Sequence, residues 1–197
     1  MIDNHVSARP ASGLSKASVV IEAPVEGGIT RFLAFFDATT SMAEVGPVRS
    51  VRPYFVDWAQ GWKALFFHVG GSPEALVQLR RAQSGRFHHV DEMASENFFW
   101  RSRSRLAPHS TFTSSDLMTR AEIRFDVATN SIPIIWHFQD AASSTERGEV
   151  TPISIPYGGS FQVKWKYDRE RGTYVRSQGG MLHRDAEQRP IEAENVL

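Results

Sequence analysis

The sequence predicts an α/β class: a mixed α+β sheet domain followed by a partial all-β meander. Three observations carry this. Segments rich in β-branched and aromatic residues interleave with segments of helical period over the first two thirds of the chain. From Phe161 onward the period becomes two, with Phe161, Val163, Trp165 and Tyr167 alternating with Gln162, Lys164 and Lys166. Between the two regimes, residues 140–150 contain no large apolar residue except Val150.

Taken in order, residues 19–21 and 29–36 read as strands, punctuated by Pro24 and by Gly27-Gly28. Val51, Tyr54, Phe55, Trp58 and Trp62 fall at helical spacing, which predicts an amphipathic helix over 51–61 with Trp58 and Trp62 in the core. Ser50 is its expected N-cap, and Pro53 is tolerated in its first turn. Residues 65–69 read as a buried strand, and Ser72-Pro73 as the start of a helix to about Arg81. Residues 82–112 read as irregular, with an aromatic knot at Phe98-Phe99-Trp100. Thr113 with Asp116 suggests a capping box opening a helix to about Glu122, and residues 132–138 read as a strand. After Tyr167, Asp168 to Gly172 turns, residues 173–176 return, and Gln178-Gly179-Gly180 turns again into Met181-Leu182-His183. The expected organisation is therefore an N-terminal domain over 1–139, a linker over 140–150, and the start of a β-rich domain over 151–197.

Composition narrows the function. The chain has 197 residues, 41% hydrophobic and 22% charged, which fits a folded globular protein. It has no cysteine, which excludes disulfides, thiolate metal sites and a cysteine nucleophile. Twenty-two basic residues balance 22 acidic ones, so neither nucleic acid nor a membrane surface is an expected partner. No apolar run approaches the roughly 20 residues needed to cross a bilayer. Among the basic residues four are lysine (Lys16, Lys63, Lys164, Lys166) and eighteen arginine. Codon composition explains that bias, or else guanidinium recognition of carboxylate or phosphate.

Several constellations could carry chemistry. Arg49 and Arg52 flank the expected helix start, where the macrodipole disfavours cations and an anionic partner would relieve them. Internal partners are Glu22, Glu26 and Asp3; the external one is a ligand. In His68-Val69-Gly70-Gly71-Ser72-Pro73 a buried strand meets two glycines and a helix N-terminus, an arrangement that either makes a tight turn or admits an anion. It carries neither the Walker lysine nor three glycines of a dinucleotide site. Glu22 and Glu26, four apart around Pro24, either fix a loop or supply acid–base chemistry. Arg101, Arg103 and Arg105 at period two would share a strand face. His5, His68 and His109 lack metal-ligand spacing, so no metal is assigned. Neither Gly-x-Ser-x-Gly nor Ser-x-x-Lys occurs.

Read together, several stretches resemble one family. They are Ile2-Asp3-Asn4-His5 with Ala8-Arg9-Pro10, the segment from Glu22 to Arg31, and Gly46-Pro47-Val48-Arg49-Ser50-Val51-Arg52-Pro53-Tyr54. They continue with His68 to Ala75, Phe99-Trp100-Arg101 and Ala107-Pro108-His109. The chain resembles the YerB-type bacterial lipoprotein family, whose domain is of unknown function, over essentially its whole length. Residues 153–167, Tyr174-Val175-Arg176 and Asn195-Val196 resemble the start of the family's second domain. The resemblance implies an export signal and a lipid-attachment cysteine upstream in the parent protein, hence an extracytoplasmic, membrane-anchored location. It further implies that this chain lacks the anchor, the strand leading into Ile2, and most of the last domain. It implies no reaction.

The resulting expectation is a non-enzymatic envelope module that binds an anionic or polar ligand, or an envelope protein. Its cleft would be built from Arg31, Arg49, Arg52, His68, Gly70, Gly71 and Ser72, with His109 at the rim and no cofactor. The alternative is a hydrolase or transferase acting on a cell-envelope polymer, using Glu22 or Glu26 with His68 or His109.

Overall fold

A computed structural model describes residues 1–83, 87–127, 142–143 and 145–197. The strand expected over 132–138 lies outside the described residues. The first sheet joins β1 (Ile2–Asp3), β2 (Val19–Pro24) and β3 (Thr30–Phe35) in the antiparallel order β1-β3-β2. β3 is the middle strand and is buried on both faces, which is why its sequence is an apolar run and not an alternation. Phe32 faces one way, onto a cluster with Ile2, Met42, Val45 and Ile191. Leu33 and Phe35 belong to the main core, with Phe55, Val56, Phe66 and Leu79.

Helix α1 (Pro53–Gly61) begins two residues later than the capping signal suggested. Its N-cap position is Arg52, in extended backbone, and no side chain caps it. Ser50 instead lies in the segment leading in, where its carbonyl accepts from Arg31. The proline at the first helical position explains the shift, since its fixed φ suits that position and it has no N–H to cap. Trp58 and Trp62 are half-buried at the edge of the core, and the fully buried positions of the helix are Phe55, Val56 and Ala59.

β4 (Phe66–His68) leads through α2 (Pro73–Gln83) into β5 (His89–Asp91), which pairs with β4 in parallel. The region read as irregular thus holds three short strands: β5, β6 (Trp100–Arg101) and β7 (Thr111–Phe112), the last two antiparallel. Only Arg101 of the arginine triplet is on a strand; it pairs with Glu92 at 2.7 Å, while Arg103 lies in the turn that follows. Ser114, not Thr113, caps α3 (Ser115–Phe125) and accepts from the Leu117 amide. Thr113 is buried, bonds the Val45 backbone, and donates its hydroxyl to the Phe98 carbonyl. The Arg9-Pro10, Gly46-Pro47 and Ala107-Pro108 bonds are cis.

The C-terminal sheet contains β8 (Ile153–Ile155), β9 (Val163–Asp168), β10 (Thr173–Gln178), β11 (Met181–Leu182) and β12 (Glu192–Ala193). β10 pairs with β9 on one side and with β11 and β12 on the other. Trp165 and Ile191 pack onto the outer face of β3, and Asp185 bonds the Ser15 hydroxyl. The chain is a mixed α+β fold ending in an antiparallel five-stranded sheet.

Candidate functional site

β1 and β3 bring the first group of charges together, because their register places Asp3 opposite Arg31. Residues 47–49 run along the other side of β1, where Asp3 N–H donates to Pro47 O and Arg49 N–H to Met1 O. Arg31, Arg49 and Arg52 thereby converge, as their mutual lowering of the Arg31 pKa reflects.

Arg31 is 6% exposed. Its Nη1 donates to the Ser50 carbonyl at 2.7 Å, and its buried Nε has no partner. Burial first, and then the charges of Arg52 and Arg49, pull its pKa down to about 10; Asp3 and Glu26 oppose this. Arg52 grips Glu26 through both carboxylate oxygens at 2.6 and 2.5 Å, and its Nη1 donates to Val51 O. Those hydrogen bonds hold the Glu26 carboxyl down at about 2. Arg49 Nε lies 3.1 Å from Asp3 Oδ2, within ion-pair distance but not aligned as a hydrogen bond. The same oxygen takes His109 Nδ1 at 2.7 Å. Three guanidinium groups therefore meet two carboxylates, leaving one positive charge in excess.

The remaining members of the expected cleft lie elsewhere. His68 is fully buried; its Nδ1 meets Gly70 O at 2.9 Å and its Nε2 meets His89 Nδ1 at 3.0 Å. Burial drives its pKa down to about 4. A strand end inside a core has no open face, so His68 lines no cleft. Gly70 and Gly71 are zipped onto Val51 by Val51 N–H to Gly70 O and Ser72 N–H to Val51 O. A Cβ on Gly71 would stand 2.7 Å from Val51 Cγ1. Gly71 thus serves the close approach of Val51, and Gly70 takes a positive φ of 57° in the turn. Ser72 Oγ accepts from the Ala75 amide, a helix cap.

Glu22 also belongs to the interior. Its Oε2 accepts from Arg176 at 2.7 Å, and its Oε1 from Thr30 at 2.6 Å and Asn4 at 3.2 Å. Arg176 is 2% exposed, lies between the Phe32 and Trp165 rings, and also bonds Gln178 and His183 Nδ1. Burial, then the Arg176 and Arg9 charges, press the His183 pKa down to about 3. Arg176 and His183 escaped the sequence reading, and the signal available was their place on the inward face of a meander with Gln178. Glu22, Glu26, His68 and His109 thus do not assemble: each carboxylate is held by an arginine, and each histidine faces a different partner. Among the described residues, no three His, Asp or Glu side chains are placed to hold a metal ion, and no helix is long and apolar enough to cross a membrane.

Residues 1–127 match the N-terminal domain, and residues 153–197 the C-terminal domain, of a protein family of unknown function, DUF3048. YerB of Bacillus subtilis (strain 168), a protein whose name calls it a lipoprotein, is 36% identical over 204 aligned residues. That alignment takes in 100% of this chain, which spans 60% of the relative's length. The crystal structure of YerB protein from Bacillus subtilis superposes with a TM-score of 0.83 at 35% identity, covering 97% of this chain and 64% of that one. The fold, both domain matches and the identity agree: the chain belongs to the DUF3048 family of YerB-like proteins of unknown function.

Proposed function

We propose that this chain is an extracytoplasmic binding module of a lipoprotein, without catalysis of its own, which accepts an anionic ligand or an acidic group of a partner at Arg31, Arg49 and Arg52. The location rests on the name of YerB, the similar Bacillus subtilis protein. The binding reading rests on one observation: Arg31 is buried among two further guanidinium groups, with an unpartnered Nε and one positive charge more than Asp3 and Glu26 neutralise. Like charges held close repel unless an anion joins them, and the guanidinium fork suits carboxylate or phosphate. The hydrolase or transferase alternative has less support, because its acids and bases are separately paired.

The test is thermal melting with added inorganic phosphate or citrate, in wild type and in Arg49→Ala. A ligand that binds only the folded state raises Tm with concentration. The expected result is a rise in wild type that shrinks in a folded Arg49→Ala. Global unfolding of Arg49→Ala, with no anion effect on wild type, would make the arginines internal struts and end the proposal.

A further inference from the structure

Glu26 reaches Arg52 from the turn that joins β2 to β3. Its carboxylate lies along one edge of the guanidinium, with Oε1 accepting from Nε at 2.6 Å and Oε2 from Nη2 at 2.5 Å. Paired bonds of this kind are how an arginine holds a planar, two-oxygen acid. The carboxylate of a ligand would take the same position, so a residue of the chain itself stands in the place of a guest.

The two partners are held very differently. The Arg52 side chain is 15% exposed, and its Nη1 donates to Val51 O, so the guanidinium keeps its place without Glu26. The Glu26 side chain is 69% exposed and bonds no described residue besides Arg52. Tyr54 of α1 donates to Pro24 O at 2.6 Å and pins the end of β2, which leaves any swing to the residues after it. Gly27 and Gly28 follow Glu26 at φ 68° and 72°, and a Cβ on either would have nothing within 4 Å. The turn Glu26–Gly28 therefore stands clear of the rest of the protein, with room to carry Glu26 away.

An incoming acid finds donors beyond Arg52. Arg31 spends Nη1 on Ser50 O, and Arg49 spends Nη1 on Pro108 O at 3.4 Å. The Nη2 of each bonds no described residue and, unlike the buried Nε, is not closed off from solvent. Without Glu26, Asp3 alone would face three guanidinium groups, and the excess of positive charge would rise from one to two.

We propose that Glu26 is a built-in competitor for the arginine site: a carboxylate ligand displaces it from Arg52, and the turn Glu26–Gly28 swings out as the ligand enters. This rests on the arginine site proposed above and names the class of its ligand. Entry breaks the Glu26–Arg52 pair, so an acid gains only if it also engages Arg31 or Arg49.

The test is calorimetric titration at neutral pH and fixed ionic strength, with succinate as a free dicarboxylate and a blocked Glu-Glu dipeptide as an acidic chain. Whichever binds saturably identifies the source of the acid. Sulfate, a dianion of equal charge without a carboxylate, should bind more weakly than succinate. Glu26→Gln removes the competitor and should tighten binding at least about fivefold. Glu26→Asp keeps the charge but is one methylene too short for both bonds, and should tighten binding at least about twofold. The bound acid should also shift the amide resonances of Gly27 and Gly28 in wild type and leave them unmoved in Glu26→Gln. Equal binding by wild type and both variants, a gain in Glu26→Gln without one in Glu26→Asp, or unmoved glycine amides in wild type would each show that Glu26 is not displaced, and the arginine site would stand without it. Sulfate binding as tightly as succinate would overturn the ligand class. If neither acid binds wild type or Glu26→Gln, the arginine site itself falls.

Discussion

Arg176 on β10 and Glu22 on β2 meet at 2.7 Å although 154 positions separate them in the chain. The pair ties the C-terminal sheet to the first sheet. It is flanked by Tyr157 donating to Glu22 O, and by Arg9 lying over the Phe161 ring at 5.0 Å. Both ends are withdrawn from water, so removing one partner strands the other.

Arg176→Ala should therefore cost about 3–5 kcal/mol, because Glu22 keeps only neutral donors in a desolvated place. Urea unfolding of wild type and variant measures this. A loss under about 1 kcal/mol, the range of exposed pairs, would show that water reaches Glu22.

The half-burial of Trp58 predicts a ranking within α1. Phe55→Ala, at a fully buried position, should cost about 3–5 kcal/mol, and Trp58→Ala less, about 2–3 kcal/mol. Denaturant midpoints compare the two, and a larger loss for Trp58→Ala would reverse the order of burial.

Acid should weaken the fold through its buried histidines. His68 and His183 have folded pKa values of about 4 and about 3, both below the unfolded value of 6.5. Between those limits the unfolded chain binds more protons, so stability rises with pH and falls as pH drops below about 6.5. Each histidine should remove on the order of 2 kcal/mol by pH 5. Glu26, held at about 2 by Arg52, adds its smaller loss only below its unfolded 4.5, and its exposure dilutes that loss. Tm measured from pH 8 to pH 4.5 checks this, with His183→Gln flattening the slope. A profile unchanged by that substitution would mean that His183 charges freely in the folded protein.

Limited proteolysis should cut first within residues 142–152, whose described members are exposed except for half-buried Arg147. The matched family domains lie on either side of this stretch, over 1–127 and 153–197. Sequencing the first fragments identifies the site, and early cuts inside residues 20–80 would contradict a division here.

By itself the sequence determined the strands around residues 19–36, the helix within residues 51–61 though not its start, the helix after Ser72, and the alternation of β9. Each follows from forces between near neighbours: period, β-branching, proline at a helix start. Strands of two or three residues, such as β5, β6 and β7, are too short to show a period, and pairing alone makes them. The sequence also singled out Asp3, Glu22, Glu26, Arg31, Arg49 and Arg52 as charges in need of partners, but neither Arg176 nor who faces whom. Only the tertiary structure decided that Glu26 goes to Arg52, Asp3 to Arg49 and His109, and Glu22 to Arg176. It likewise turned His68 inward and closed Gly71 against Val51. Charge pairing over long separations depends on strand register and on how two sheets stack, and the Coulomb attraction of any one carboxylate for eighteen arginines is nearly alike until packing brings one within 3 Å.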